Sequence, residues 1–147
     1  MASMTQGDAS DRIDWVEVRT GRLGMAGLAR SARLMPDDAV DVIALLADVA
    51  DFNSGGVTVL RYPIPDMGVP ADVVAFGELV DSIVGEVAAG RSVLVACLAG
   101  FGRTGMTAAC VLVRAGLDPE AAIELVRVTR PGTIETEEQL AFVRGWR

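Results

Sequence analysis

The sequence predicts a single α/β domain with a central, mostly parallel (mixed) sheet of about four to five strands flanked by helices. Three observations predict it. The chain has 147 residues and is 51% hydrophobic, which fits one domain with a sizeable core and excludes a disordered chain. Short β-branched apolar runs, typical of buried strands, lie in the first two thirds of the chain. Apolar positions spaced by three and four residues, typical of amphipathic helices, dominate the end. The domain is expected over 13–147, after a polar tail over 1–12 that is expected to be disordered.

The elements follow in order. "WVEV" (15–18) alternates apolar and polar residues and reads as an edge strand. "TGRLGMAGLARS" (20–31) is punctuated by glycine, with room for a second short strand near Leu23. "MPDDA" reads as a turn or a single helical turn, and "VDVIALL" (40–46) as a buried strand. "ADVADF" (47–52) reads as a short helix, closed by the loop signal "NSGG". "VTVLRYPI" (57–64) is the next strand, stopped by Pro63 and Pro65. From Ala71 to Ala89, Val73, Phe76, Val80, Ile83, Val84 and Val87 recur at helical spacing, with Pro70 opening the segment and Gly90 closing it. "SVLVA" (92–96) is apolar and β-branched, as expected of a central strand covered on both faces. A helix is expected over 103–115 with Gly116 as its stop. Another is expected over 118–130, with Asp118 as cap and Pro119 in the first turn. The last, over 136–146, opens on Thr136-x-x-Gln139, a capping box.

Charge and composition narrow the function. Net charge is −7, with 20 acidic residues against 13 basic ones, and every basic residue is arginine. An acidic surface disfavours nucleic acid and anionic membrane, both of which reward clustered positive charge. No apolar stretch reaches the roughly 18 residues of a membrane span, and the N-terminus "MASMTQGDAS" lacks the apolar core of a signal peptide. A cytoplasmic protein is expected. The two cysteines, Cys97 and Cys110, read as thiols in a reducing compartment. With no histidine, the usual Cys/His zinc patterns and any Cys-His or Ser-His pair are excluded.

"ACLAGFGRTG" (96–105) carries two overlapping signatures. As G-x-G-x-x-G, through Gly100, Gly102 and Gly105, it matches a dinucleotide fingerprint. That fingerprint needs a second parallel strand after its helix and an acid about 20 residues on to hold the ribose. Downstream of Gly105 only helical patterns follow, and Asp118 and Glu120 open a helix. As Cys97-x5-Arg103 it fits its context. A strand delivers the sulfur to a loop ahead of a helix, where loop amides and the helix dipole form an anion nest that favours the thiolate. Gly100 and Gly102 let the loop turn its N–H groups inward. Arg103 stands in the first helical turn, where the dipole disfavours a cation, so its presence makes sense beside a bound dianion it can grip in bidentate fashion. Thr104 can donate a hydrogen bond to the sulfur. A cysteine nucleophile also needs an acid for the leaving oxygen. Asp66, in "YPIPDMGVP" (62–70), is a candidate, although Pro-Asp-Met-Gly is equally an ordinary turn.

These residues resemble the cysteine-dependent protein tyrosine and dual-specificity phosphatases, notably the cyclin-dependent-kinase-associated, Cdc14-like and compact bacterial branches. The family loop, His-Cys-x-x-Gly-x-x-Arg-Ser/Thr-Gly, is matched except that Ala96 replaces the histidine. "YPIPDMGVP" resembles the acid loop and "RPGTIETEEQLAFV" the C-terminal segment that positions water. The resemblance spans about residues 15–146 and implies a phosphatase-type fold with no metal and no cofactor. It implies Cys97 as nucleophile, Arg103 as phosphate clamp, Thr104 as aid to thiolate departure, and Asp66 as general acid and then base. Leu98, Ala99, Gly100, Phe101 and Gly102 would line the phosphate cradle, with Phe101 a rim contact or a loop brace. Gln139 matches a water-orienting glutamine and is also the capping-box residue. Cys110 is expected to pack in the core. The implied partner is a phosphorylated protein or peptide, on tyrosine or on serine/threonine. Phosphoinositide-directed relatives place lysines around the cysteine, and here the loop has none. A monomer is the favoured expectation. The alternative is a phosphate-binding pseudophosphatase silenced by Ala96. It has no need of an acid such as Asp66, and a rhodanese-type sulfur transferase would need neither Asp66 nor Arg-Thr-Gly.

Overall fold

The structure is a computed structural model that describes residues 11–147. The expected tail therefore lies outside the described residues, apart from Asp11 and Arg12. Five strands form one mixed sheet in the order β1-β2-β5-β3-β4. The strands are β1 (Asp14–Val18), β2 (Gly21–Gly27), β3 (Val42–Leu45), β4 (Thr58–Arg61) and β5 (Ser92–Cys97). β1 and β2 form an antiparallel hairpin, and the remaining pairings are all parallel. As its unbroken apolar run predicts, β5 is the central strand.

Register brings the strand ends together. Cys97 lies opposite Gly27, Ala96 opposite Leu45, and Leu45 opposite Arg61. The chain therefore leaves β2, β3, β4 and β5 at one edge of the sheet, where ligands bind in open α/β folds.

Among the described residues there are five α-helices, α1 (Leu28–Ser31), α2 (Val73–Ala88), α3 (Gly102–Arg114), α4 (Pro119–Thr129) and α5 (Glu137–Arg144), and a 3-10 turn at Pro36–Asp38. α2 buries Phe76, Leu79, Val80, Ile83 and Val87, one face at helical spacing, and is capped by the Asp72 carboxylate accepting from Ala75 N. α3 is buried from Gly102 to Val113 and forms the axis of the helical layer. It can lie there because it is rich in small residues. A Cβ at Gly105 would come within 2.5 Å of Thr133 Cβ. The caps of α4 (Asp118) and α5 (Thr136, Gln139) form as the sequence predicts.

The two sheet faces are covered differently. Leu23, Met25, Val93, Val95 and the helices make the main core, with Phe76 meeting Tyr62, Phe142 and Trp146 edge to face. The opposite face, with Ala26, Ile43, Leu45, Leu94 and Ala96, is covered by Leu28, Leu34, Val49, Phe52 and neighbouring loop residues. This corrects one expectation, because 47–52 is a turn and no helix forms. A helix this short forms only where tertiary packing supports it, and here Ala47, Val49 and Phe52 reach the sheet from irregular chain. The single-turn α1 is likewise too short to leave a periodic signal. Among the described residues, no helix is long and apolar enough to cross a membrane.

Candidate active site

The loop between β5 and α3 is built around its carbonyls. Leu28 N donates to Leu98 O (3.1 Å), Arg130 Nε to Gly100 O (2.7 Å), and both Gly105 N (3.0 Å) and Ile134 N (3.1 Å) to Phe101 O. With these oxygens held by the surrounding protein, the N–H groups of residues 98–101 donate to no acceptor among the described residues. Gly100 makes this turn at φ +84°, and a Cβ there would run into the backbone of Ala26 and Gly27. Only glycine fits. Unpaired amides ahead of a helix N-terminus are the donors that an anion requires.

Cys97 ends β5, is 2% exposed and packs within the main core. The Thr104 hydroxyl donates to its sulfur at 3.0 Å. Arg103 is buried in the first turn of α3, where its Nη1 donates to Ile64 O (2.9 Å) and its Nη2 lies 3.3 Å from Asp66 Oδ1. These acceptors compensate a cation at the unfavourable end of the helix dipole. Asp66 stands on the tight turn at 65–68, closed by Gly68 N donating to Pro65 O (2.9 Å), and its side chain is 72% exposed. Leu98 and Ala99 face solvent, Phe101 is half-buried, and Gly102 is buried where α3 begins.

Gln139 is fully buried on α5. Its oxygen accepts from Glu135 N (2.9 Å) and Thr136 N (3.2 Å), and its Nε2 donates to Gly68 O (3.2 Å). One amide therefore ties the α4–α5 connection to the loop carrying Asp66. The capping role is present, and both lone pairs of the oxygen are engaged. Cys110 packs in the core, and burial pushes its thiol up.

Ala96 packs on the sheet face opposite the main core, among Ala26, Ile43 and Leu45. Loop support comes instead from Arg130, a residue the motif reading does not single out. Its fully buried guanidinium bonds Gly100 O, reaches Asp14 Oδ2 (2.9 Å) and lies 4.5 Å from the centre of the Phe101 ring. The half-buried Phe101 ring thus packs on Arg130. The signal in the sequence is an arginine directly before Pro131-Gly132, where α4 must stop. Arg130→Met is expected to destabilise the fold by about 1–3 kcal/mol, because it leaves the buried Gly100 carbonyl without this donor and the Asp14 carboxylate with Arg12 alone. Urea denaturation measures it, and an unchanged midpoint would refute the bracing role. Glu135 is a second residue missed from the sequence. Its carboxylate lies against Gly102, where a Cβ would run into Oε1.

Comparisons with known proteins identify the family and the fold. Residues 28–117 match the family described as "Tc-R-P: Polymorphic toxin system, DSP-PTPase phosphatase". Cyclin-dependent kinase inhibitor 3 of Rattus norvegicus is 30% identical over 99 residues, covering 65% of this chain and 46% of the relative. Protein tyrosine phosphatase type IVA 3 of Homo sapiens is 30% identical over 114 residues, covering 74% and 62%. The chain thus spans between about half and three fifths of these relatives. Among solved structures, Tk-PTP in its active form superposes with a TM-score of 0.70 at 27% identity, covering 90% of this chain and 95% of that one. Kinase associated phosphatase, with serine replacing its catalytic-site cysteine, superposes at 0.75 with 20% identity, covering 93% and 94%, and shares the fold. The matched segment runs from α1 through the loop after β5 to the end of α3, so the chain belongs to the DSP-PTPase phosphatase family.

Proposed function

We propose that this protein hydrolyses phosphomonoesters on protein side chains through a phosphocysteine on Cys97. One observation carries the reading: Arg103, six residues after Cys97 and buried in the first turn of α3, lies 3.3 Å from Asp66 on a loop 37 residues upstream. The Arg103–Asp66 pair and the Thr104–Cys97 hydrogen bond start from neighbouring residues of α3, which supports a shared site for nucleophile, clamp and acid. The amides of Leu98 to Arg103 and the Arg103 guanidinium take the phosphoryl oxygens. The sulfur attacks phosphorus, the P–O bond breaks with its electron pair on the leaving oxygen, and the Asp66 carboxyl supplies the proton. The Thr104 hydroxyl, 3.0 Å from the sulfur, stabilises the thiolate when it leaves in the second step.

An exposed Leu98 and the absence of lysine around the pocket suit a phosphorylated peptide better than a polyanionic headgroup. The test is p-nitrophenyl phosphate and phosphopeptide hydrolysis with EDTA present. Wild type is expected to turn over both, and Asp66→Asn to slow the phosphopeptide by about 10²-fold. The loss should be smaller for p-nitrophenyl phosphate, whose leaving group needs less protonation. Loss of wild-type turnover on chelation, or phosphopeptide binding without turnover, would sink the reading.

A further inference from the structure

We propose that Glu135 is the general base that activates the water hydrolysing the phosphocysteine, an inference that rests on the Cys97 chemistry above. The carboxylate lies against Gly102, which adjoins Arg103 and begins α3, so close that any side chain at 102 would strike Oε1. There a negative charge faces the positive end of the helix dipole. Glu135 is exposed, so water reaches it, and it forms no ion pair among the described residues.

The backbone that carries it is held from several sides. Gln139 Oε1 accepts from Glu135 N (2.9 Å), and Ile134 N donates to Phe101 O of the loop itself (3.1 Å). Arg127 donates to Thr133 O (3.1 Å) and Ile134 O (2.9 Å). Ile134 is held at φ +59°, costly for a β-branched residue. Such strain persists only where the surroundings over-determine it. Gln139 also holds Gly68 O, so one buried amide fixes both carboxylate-bearing segments, Asp66 on one and Glu135 on the other. Gln139 is thus a positioning residue, and its oxygen, already accepting two N–H groups, has no lone pair for a water.

The division of labour follows. Asp66 serves the leaving group in the first step. In the second, water oxygen attacks phosphorus, the P–S bond breaks with its electron pair returning to Cys97, and the water proton passes to the Glu135 carboxylate and on to solvent. Phosphate and the thiolate are the products.

The experiment uses p-nitrophenyl phosphate with wild type, Glu135→Gln, Glu138→Gln and Cys97→Ser, following p-nitrophenolate in the burst and steady state and quenching in acid to weigh phosphoenzyme. Glu138, exposed in the first turn of α5, controls for loss of one negative charge. Glu135→Gln is expected to keep its burst, to lose about 10²-fold in steady-state rate, and to accumulate phosphoenzyme. Glu138→Gln should match wild type. Unchanged turnover in Glu135→Gln overturns the proposal, as does slowing without phosphoenzyme, which would place the defect in the first step. An equal loss in both glutamine variants overturns it too. Turnover surviving in Cys97→Ser instead removes the phosphocysteine mechanism, and this proposal with it.

Discussion

Cys97→Ser is expected to abolish turnover of p-nitrophenyl phosphate, a loss on the order of 10⁴-fold or more, while leaving the fold intact. The substitution keeps a side chain of nearly the same shape at the end of β5 and keeps a partner for the Thr104 hydroxyl, now 3.0 Å from the sulfur. What disappears is the sulfur, a far better nucleophile than a hydroxyl oxygen, at the start of the loop whose 98–101 amides have no acceptor among the described residues. A serine hydroxyl needs an adjacent base to become a nucleophile, and this chain has no histidine to supply one. The check pairs the assay with a thermal melt. Residual activity within tenfold of wild type would place the chemistry elsewhere, and an unfolded variant would show that the sulfur serves the core rather than the reaction.

The second large effect is expected at Arg103. Arg103→Lys should lower kcat/KM by about 10²- to 10³-fold, because it removes preorganised donors from the point where phosphoryl charge is held. A guanidinium satisfies Ile64 O and Asp66 at once and can turn its planar fork to two phosphoryl oxygens. An ammonium on a flexible stem cannot reproduce that geometry. Inhibition by inorganic phosphate should weaken alongside. If kcat/KM falls while phosphate binds as before, Arg103 acts on the acid loop rather than on the anion. The contrast with Arg130 is informative. Both are buried arginines, yet Arg103 faces the Asp66 loop and Arg130 grips the back of the phosphate loop through Gly100 O. One variant should lose rate and the other stability.

Most of the helical layer is legible from periodicity and caps. Asp72, Asp118 and Thr136 sit where their helices begin, because capping is settled within one turn by local geometry. The α2 boundary differs slightly, since Asp72 and not Pro70 opens the helix. The failures are equally instructive. Residues 47–52 lack the length to form a helix alone and take their shape from the sheet they cover. Ala96 looks like a gap in the motif when read along the chain. In three dimensions it fills a tight apolar position between β2 and β3, and Arg130 braces the loop from another direction.

Cys97, Arg103 and Thr104 belong to one strand-loop-helix unit, so the residues of this candidate loop can be picked out before any folding is known. The partners that complete the site join segments far apart in the chain: Arg130 with Gly100 and Asp14, Gln139 with Gly68, Glu135 with Gly102. No periodicity or motif records such pairs. They exist because parallel register gathers the strand ends at one edge and close packing of a small-residue helix draws the α4–α5 connection onto the loop. Long-range contacts of this kind arise from sheet order and side-chain packing together, and those are properties of the folded chain.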